Sequence, residues 1–469
     1  MPGRHMHKRR RVSRCAISRR RFSHMAALAA LSLAGRRAVA APRAGGTALV
    51  VGAGMAGLAA AIDLKAAGWT VVVIEGRDRV GGRIFTDRSL DGVPLDMGAT
   101  WIHGIRGNPI NALRTKYRLK VALTNYDAML RYDADGLPLS APREASMDRA
   151  FASLETAIAQ AQEARAVDPS LGAFIDDFIE ARSLSADARR SLGYSVNTEI
   201  EHEQAADVAD LSLVNFDQDS QFGGPDVLFP NGYGQLPERL RAGLDIRTGH
   251  TVRSIAHDSS GVRVETQRGT FVGDRVVVTL PLGVLKHGDV GFTPILPEAK
   301  RAAIDRLGMG VLNKCYLKFP RVFWDPRPQL FGYIGAARGQ WAEWLNMHRF
   351  TRQPVLLGFN AGSFGEQLES QSDEEVVASA MTVLRTIYGG SVPSPTGARV
   401  TRWKSDPFSR GAYSHIPPGA SGGDYDALAA SVAGRIFFAG EATSRQYPGT
   451  VHGAWLSGRR AAAEMTRLV

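Results

Sequence analysis

Four groups of residues in this chain have types and spacings that could do chemistry. In Gly52-Ala53-Gly54-Met55-Ala56-Gly57 the glycines fall at i, i+2 and i+5, and an acid, Glu75, follows 18 residues after the last. Gly52 permits a tight turn, Gly54 lets a pyrophosphate approach the backbone, and Gly57 lets a helix pack closely on a strand. The helix that follows offers free N–H groups and the positive end of its dipole to phosphates, with Met55 and Ala56 in the turn as further cofactor-binding candidates, and Glu75 can accept from ribose hydroxyls. The second group is Lys314 within Asn313-Lys314-Cys315-Tyr316-Leu317-Lys318-Phe319. Strand alternation puts Lys314, Tyr316 and Lys318 on one face and Cys315 on the other, where it packs. His103 closes a third group, Asp96-Met97-Gly98-Ala99-Thr100-Trp101-Ile102-His103, and as an imidazole it titrates near neutrality. The fourth group is Trp403, Phe408 and Tyr413, interrupted by Pro407 and Gly411, which reads as an aromatic wall carried on a loop.

The elements that must hold these groups are legible in outline. Thr47 to Val51 is a β-prone apolar run, Leu58 to Gly68 an alanine-rich helix, and Thr70 to Ile74 a second strand that delivers Glu75. Strand, glycine turn, helix, strand and terminal acid in that order specify a dinucleotide-binding unit far better than the glycines alone. From Met147 to Leu192 the apolar residues, such as Phe151, Leu154 and Ile158, recur at helical spacing. Strands are expected again at 245–247, 251–255, 262–265, 275–280, 313–319, 355–359 and 436–439, with helices at 373–388 and from 451 to the end. The fold class expected is α/β, with two interleaved domains. Residues 44–95, 232–290 and 398–469 would form a discontinuous Rossmann-like cofactor domain, and 96–231 with 291–397 an α+β substrate domain. Ligands should sit where the two meet.

Charge narrows the partners. The 469 residues include 57 Lys and Arg against 46 Asp and Glu, a net charge of +11. Residues 1–43 hold 12 of those bases and none of the acids, so the rest is almost neutral, and no long basic face for nucleic acid is expected. That tail contains Ser18-Arg19-Arg20-Arg21-Phe22, an apolar run from Met25 to Gly35, and Ala38-Val39-Ala40 before Ala41. It resembles a twin-arginine export signal, and its apolar run is too short to span a bilayer. The mature protein is therefore expected to be soluble and exported, meeting the twin-arginine machinery only in passing. Two cysteines, Cys15 and Cys315, support neither a disulfide framework nor a cysteine-rich metal site.

Beyond Glu75 come Arg77, Asp78, Arg79, Val80, Gly81, Gly82 and Arg83, a basic glycine loop suited to holding a cofactor permanently. The run from Val50 to Arg83, with its RxGGR element, resembles the flavin-containing amine oxidases, and the likeness extends over nearly all of residues 47–469. The cofactor implied is FAD. Gly98-Ala99-Thr100-Trp101-Ile102-His103-Gly104, with Gly107-Asn108-Pro109-Ile110, is nearest to animal polyamine and spermine oxidases, and in the family it runs along the flavin ring. The resemblance makes Lys314 the lysine that holds a water against flavin N5, and Trp403 and Tyr413 the aromatic sides of the substrate cavity. It assigns Glu441, in Phe438-Ala439-Gly440-Glu441-Ala442-Thr443, to the ribityl–phosphate region, Thr450 and Val451 to the pyrimidine end of the ring, and the Val252 backbone to adenine. Thr450 stands where plant polyamine oxidases carry tyrosine and histone lysine demethylases carry threonine. Where monoamine oxidases bind flavin through a cysteine this chain has Ala412, which implies noncovalent FAD.

The activity implied by the resemblance is that of an FAD-dependent amine oxidase, polyamines favoured, that removes a hydride equivalent from an amine and delivers the electrons to O2 as H2O2. His103 would orient the amine or its water. Two acidic groups are candidates for a distal ammonium: Asp217 with Asp219, and Glu199, Glu201 and Glu203. An L-amino-acid oxidase would instead need an arginine for the substrate carboxylate, with Arg410 a candidate. A flavin desaturase and a non-catalytic flavoprotein are the remaining alternatives. Histone demethylation is disfavoured, because an exported protein would not meet chromatin.

Overall fold

The protein is described by a computed structural model that covers residues 45–164 and 168–468. The expected export signal, with Cys15, lies outside the described residues. Five strands rich in β-branched and aromatic residues make the first sheet, in the order Ile436–Phe438, Arg275–Val278, Thr47–Val51, Thr70–Ile74, Asp245–Arg247, all parallel. Its strands come from three separate stretches of chain. Both faces are buried, as a parallel sheet requires: Leu49, Val51, Val276, Val278 and Phe438 pack to one side, and Ala48, Val50, Val277 and Phe437 to the other.

Two helices cover the second side. Met55–Ala66 begins three residues earlier than the sequence suggested, because Gly54, extended at ψ −178°, serves as its N-cap and the turn is complete by Met55. Val451–Arg467 crosses it closely. A Cβ on Gly57 would stand 1.9 Å from the Gly52 carbonyl oxygen, and one on Gly458 would stand 2.0 Å from that of Ala56, so both contacts depend on glycine.

The second sheet has six strands in the order Gly397–Val400, Leu312–Lys318, Val355–Ala361, Glu343–Asn346, Leu330–Ile334, Met129–Asp133. Neighbours are antiparallel except the last pair. Its edge strand Gly397–Val400 lies across the 397/398 boundary expected from the sequence. One face, carrying Cys315, Leu317, Phe331 and Trp344, is covered by apolar residues of the helix Asp373–Tyr388, whose start is fixed by a Ser372/Glu375 capping box. On the opposite face the register aligns Lys314 with Phe359, Phe359 with Glu343, Glu343 with Gly332 and Gly332 with Arg131. Residues opposite one another project to the same side, so this row crosses five strands.

The expected helical stretch is three helices, Ala141–Ala164, Leu171–Ala181 and Ala186–Val196, followed by a π-helical turn, Asn197–Glu201. Among the described residues no helix is long and apolar enough to cross a membrane.

Candidate active site

The cofactor end starts at Gly54. Its N-cap position makes no side-chain cap bond, the following turn holds no acid, and a Cβ there would meet nothing within 4 Å. The helix therefore presents its positive end to open space. A Cβ on Gly440, at φ 137°, would likewise meet nothing. A small cavity beside it is lined by Arg83, Pro281, Leu282, Gly440 and Glu441. Glu75 is buried at the end of its strand. Its carboxylate accepts from Ala53 N at 2.6 Å and Arg77 N at 2.9 Å, and burial raises its pKa against those bonds. This open, uncapped, glycine-lined channel with an acid at its far end is a cradle for a dinucleotide, and FAD fits it. Met55 and Ala56 contribute backbone, since their side chains point into the apolar clusters. Val252 is buried beside Ile74 in the cluster on the first face of the sheet.

Three expected cofactor contacts have protein partners. Arg77 forms an ion pair with Asp406 at 2.9 Å, bonds Ser409 Oγ and lies over the Phe408 ring at 5.1 Å. It thus ties the first βαβ unit to the aromatic loop, and Phe408 packs on Gly76 and under Arg77 instead of joining the expected wall. Arg83 donates to Ala412 O at 2.7 Å and to Glu441 Oε1 at 3.0 Å. Glu441 also accepts from Ser414 Oγ at 2.6 Å and Gly449 N at 2.9 Å, so it gathers three segments around the cofactor channel. Thr450 caps the closing helix, accepting from Gly453 N at 2.9 Å, and Val451 is the first residue of that helix.

Lys314 stands on the second sheet against the 96–100 segment. Its Nζ, almost wholly buried, donates to Asp96 O at 2.7 Å, Gly98 O at 2.5 Å and Thr100 Oγ1 at 2.5 Å. Three acceptors use all three protons of an ammonium. Burial pushes its pKa well below that of an ordinary lysine, while the charge of Asp96 works the other way. Tyr316, two residues on, donates to Asp96 O at 2.8 Å. Together they hold the 96–101 segment against the sheet. Gly98 is required there, because a Cβ would stand 1.7 Å from Arg83 O, and Ala99 N bonds the same oxygen at 3.2 Å.

Around this segment the aromatic side chains converge. Trp403 bonds Met97 O at 3.1 Å through its indole N–H, and its ring edge lies 3.3 Å from where a Gly98 Cβ would be. Trp101 is anchored to Thr124 Oγ1 at 2.9 Å, with its ring 5.8 Å from Phe359 and 6.3 Å from His103. Phe359 lies 5.9 Å from Lys314 Nζ and 6.3 Å from His202. Tyr413 donates to His202 O, and its ring lies against Gly449. His103 Nδ1 lies 2.8 Å from Asp226 Oδ2.

The expected acids separate. Asp217 is bonded by Gln162 at 2.8 Å. Glu201 is bound to Asn197, Val208 N and Arg338, leaving it no role toward a ligand. Asp219 is pushed up to about 6 by burial and then by Asp217 and Glu203. Glu199 and Glu203 interact through their charges with an acid the sequence reading missed, Glu343. Burial first, and then the charges of Glu199 and Glu203, push Glu343 up to about 8, while burial and then Glu203 push Glu199 up to about 7, the charge of Arg131 opposing both. Glu203 also acts on His103 and Tyr413. An acid at the start of a strand framed by Trp341 and Trp344 was the available signal for Glu343. Asp226, after Gly224-Pro225, gave none. Arg410 is held by Asp289 at 3.1 Å and 3.3 Å.

Residues 55–466 match the model of the flavin containing amine oxidoreductases. The chain belongs to that family. Similar members include the lysine-specific histone demethylase 1 homolog 1 of Oryza sativa subsp. japonica, 38% identical over 443 residues, covering 89% of this chain and 52% of that protein. Polyamine oxidase 2 of Arabidopsis thaliana is 36% identical over 431 residues, covering 89% and 87%. This chain thus spans about half the length of the demethylase relatives it matches. A solved double mutant of putrescine oxidase, redesigned in cofactor binding, superposes with a TM-score of 0.73 at 21% identity, covering 90% of this chain and 99% of that one, and shares the fold.

Proposed function

We propose that this FAD-dependent amine oxidoreductase oxidises a di- or polyamine, with FAD held noncovalently. When bound, FAD supplies the acceptor for the α-carbon hydride and passes the electrons to O2, giving H2O2. Trp101, Trp403, Tyr413 and Phe359 give aromatic faces that pack on an alkyl chain and attract its cationic end. Lys314 and Tyr316 fix the 96–101 wall, and the aromatic side chains exclude water.

The observation that carries the reading is the Lys314–Phe359–Glu343 row. Two strand spacings of about 4.8 Å separate its ends, so Glu343 stands ~10 Å from Lys314 along the sheet. An amine oxidised beside Lys314 would place a second ammonium, several carbons away, among Glu343, Glu199 and Glu203. Burial first, and then like charge, raises the pKa values of Glu343 and Glu199, and a bound cation would favour their ionised forms. A carboxylate on the substrate would meet three acids there against the cation Arg131. Arg410, engaged by Asp289, offers it no clamp, which disfavours the amino-acid oxidase alternative.

The test is anaerobic bleaching of the flavin-loaded protein by putrescine, spermidine, spermine, benzylamine, tyramine, an Nε-methyl-lysine peptide and L-amino acids. Bleaching fastest by di- or polyamines is expected. Bleaching only by amino acids, only by the peptide, or by none overturns the reading.

A further inference from the structure

Asp226 serves none of the roles described so far, yet it is among the most heavily bonded carboxylates near the candidate site. Its Oδ2 meets His103 Nδ1 at 2.8 Å and accepts from Tyr126 OH at 3.0 Å, while its Oδ1 accepts from Gly104 N at 2.8 Å. The imidazole backbone is held as well, since Asn108 Nδ2 donates to His103 O at 2.9 Å. The His103 side chain is 49% exposed. Its surroundings still desolvate its charged form. Among the described residues its Nε2 has no protein partner.

We infer that Asp226 is a positioning residue that holds His103 as the Nδ1–H tautomer, leaving Nε2 to take the proton of the substrate ammonium. This rests on the amine reading above. An ammonium has no lone pair to assist loss of the α-hydrogen, so R–CH2–NH3⁺ must first give H⁺ to a base. Here the proton passes to His103 Nε2, leaving R–CH2–NH2 and an imidazolium whose second N–H remains on Asp226. The exposed ring edge returns the proton to solvent. Electrostatics agree. Burial alone would lower the His103 pKa, but the Asp226 bond and charge, with Glu203 behind them, outweigh it and raise it. His452, on the closing helix, also feels His103; burial has already pushed it down to about 3, so it stays neutral and does not compete.

Gly104 N dictates what a substitution does. In Asp226→Asn the side-chain oxygen must face that fixed N–H, which turns the amide NH2 toward His103 Nδ1 and Tyr126. Nδ1 then becomes the acceptor, and the proton moves to Nε2, blocking the base. The experiment is ¹⁵N NMR of histidine-labelled, flavin-loaded protein above the imidazole titration, with the pH profile of kcat/KM for the best amine. In the wild type His103 carries its proton on Nδ1. In Asp226→Asn it carries it on Nε2, flavin content is unchanged, and kcat/KM falls by about 10²- to 10⁴-fold. Asp226→Glu recovers the Nδ1–H form and part of the rate. Tyr126→Phe strips one donor from the carboxylate, concentrates its charge on His103, and moves the acid limb of kcat/KM to higher pH. A wild-type Nε2–H tautomer, an unchanged profile in flavin-loaded Asp226→Asn, or an unmoved limb in Tyr126→Phe overturns the assignment. The tautomer is read without turnover, so its failure is distinct from a failure of the amines to bleach the flavin.

Discussion

At the scale of single residues, the sequence located chemistry by type and the structure redistributed the roles. Lys314 stood out as the one lysine on a strand matching the family segment, and it does sit at the centre of the site. Its three bonds to the 96–100 segment use the protons that holding a water would need, so in place of the expected water contact the structure shows it bracing that segment. We expect Lys314→Met to keep FAD but to slow turnover, as stopped-flow reduction and reoxidation would record. Because three acceptors lose their donor, the variant should also be destabilised by roughly 1–3 kcal/mol in chemical denaturation. Glu343 illustrates a residue that one dimension hides. It becomes a candidate for the distal ammonium only because two ladders set it in one row with Phe359 and Lys314, in the company of Glu199 and Glu203. Glu343→Gln should raise KM for a diamine by about tenfold or more at pH 8 while leaving that for benzylamine nearly unchanged. In the wild type, KM for the diamine should fall as pH rises through about 7 to 8, because Glu199 and Glu343 ionise there. A KM that is flat with pH, or equal losses for both amines, would remove the cluster from recognition.

At the scale of elements, the strand–glycine–helix–strand unit was the most legible part of the chain, since its periodicity, turn and cap signals agree. The later strands and the helix Asp373–Tyr388 were legible for the same reason. The six-stranded sheet as a sheet was not, because its partners are separated by up to two hundred residues and pairing leaves no local mark. Arg77 and Glu441 show a related limit: a charge near a phosphate loop in sequence can be committed to another segment in space, here Asp406 and Arg83. Gly57 tests the element argument. A methyl group at 1.9 Å from Gly52 O must push helix from strand, so Gly57→Ala should cost about 1–3 kcal/mol or more. It should also yield protein with little visible flavin absorbance even after FAD is added. Full flavin content in that variant would show that the close helix–strand approach is dispensable.

At the scale of the whole molecule, FAD would bridge segments far apart in sequence, 52–83, 98–101 and 440–451, so its binding should act as a clasp. At free FAD a thousandfold above Kd, linkage predicts about 4 kcal/mol of added stability, measurable as a higher midpoint in thermal or denaturant unfolding. The acidic cluster adds a pH term whose sign is set by its raised pKa values. The folded apoprotein binds protons at Glu199 and Glu343 that the unfolded chain has released above about 4.5, so this contribution to stability declines as pH rises toward 8. Added spermidine should offset the decline in the wild type and have a smaller effect in Glu343→Gln. The π-helical turn Asn197–Glu201 suggests how such a chamber could change hands during evolution. Because it contains one residue more than an ordinary turn, a single-codon deletion there would rotate the following residues by about 100° and change where Glu203 stands relative to Glu343. A lineage could thus switch its preferred amine through one indel, leaving both sheets and the cofactor cradle untouched.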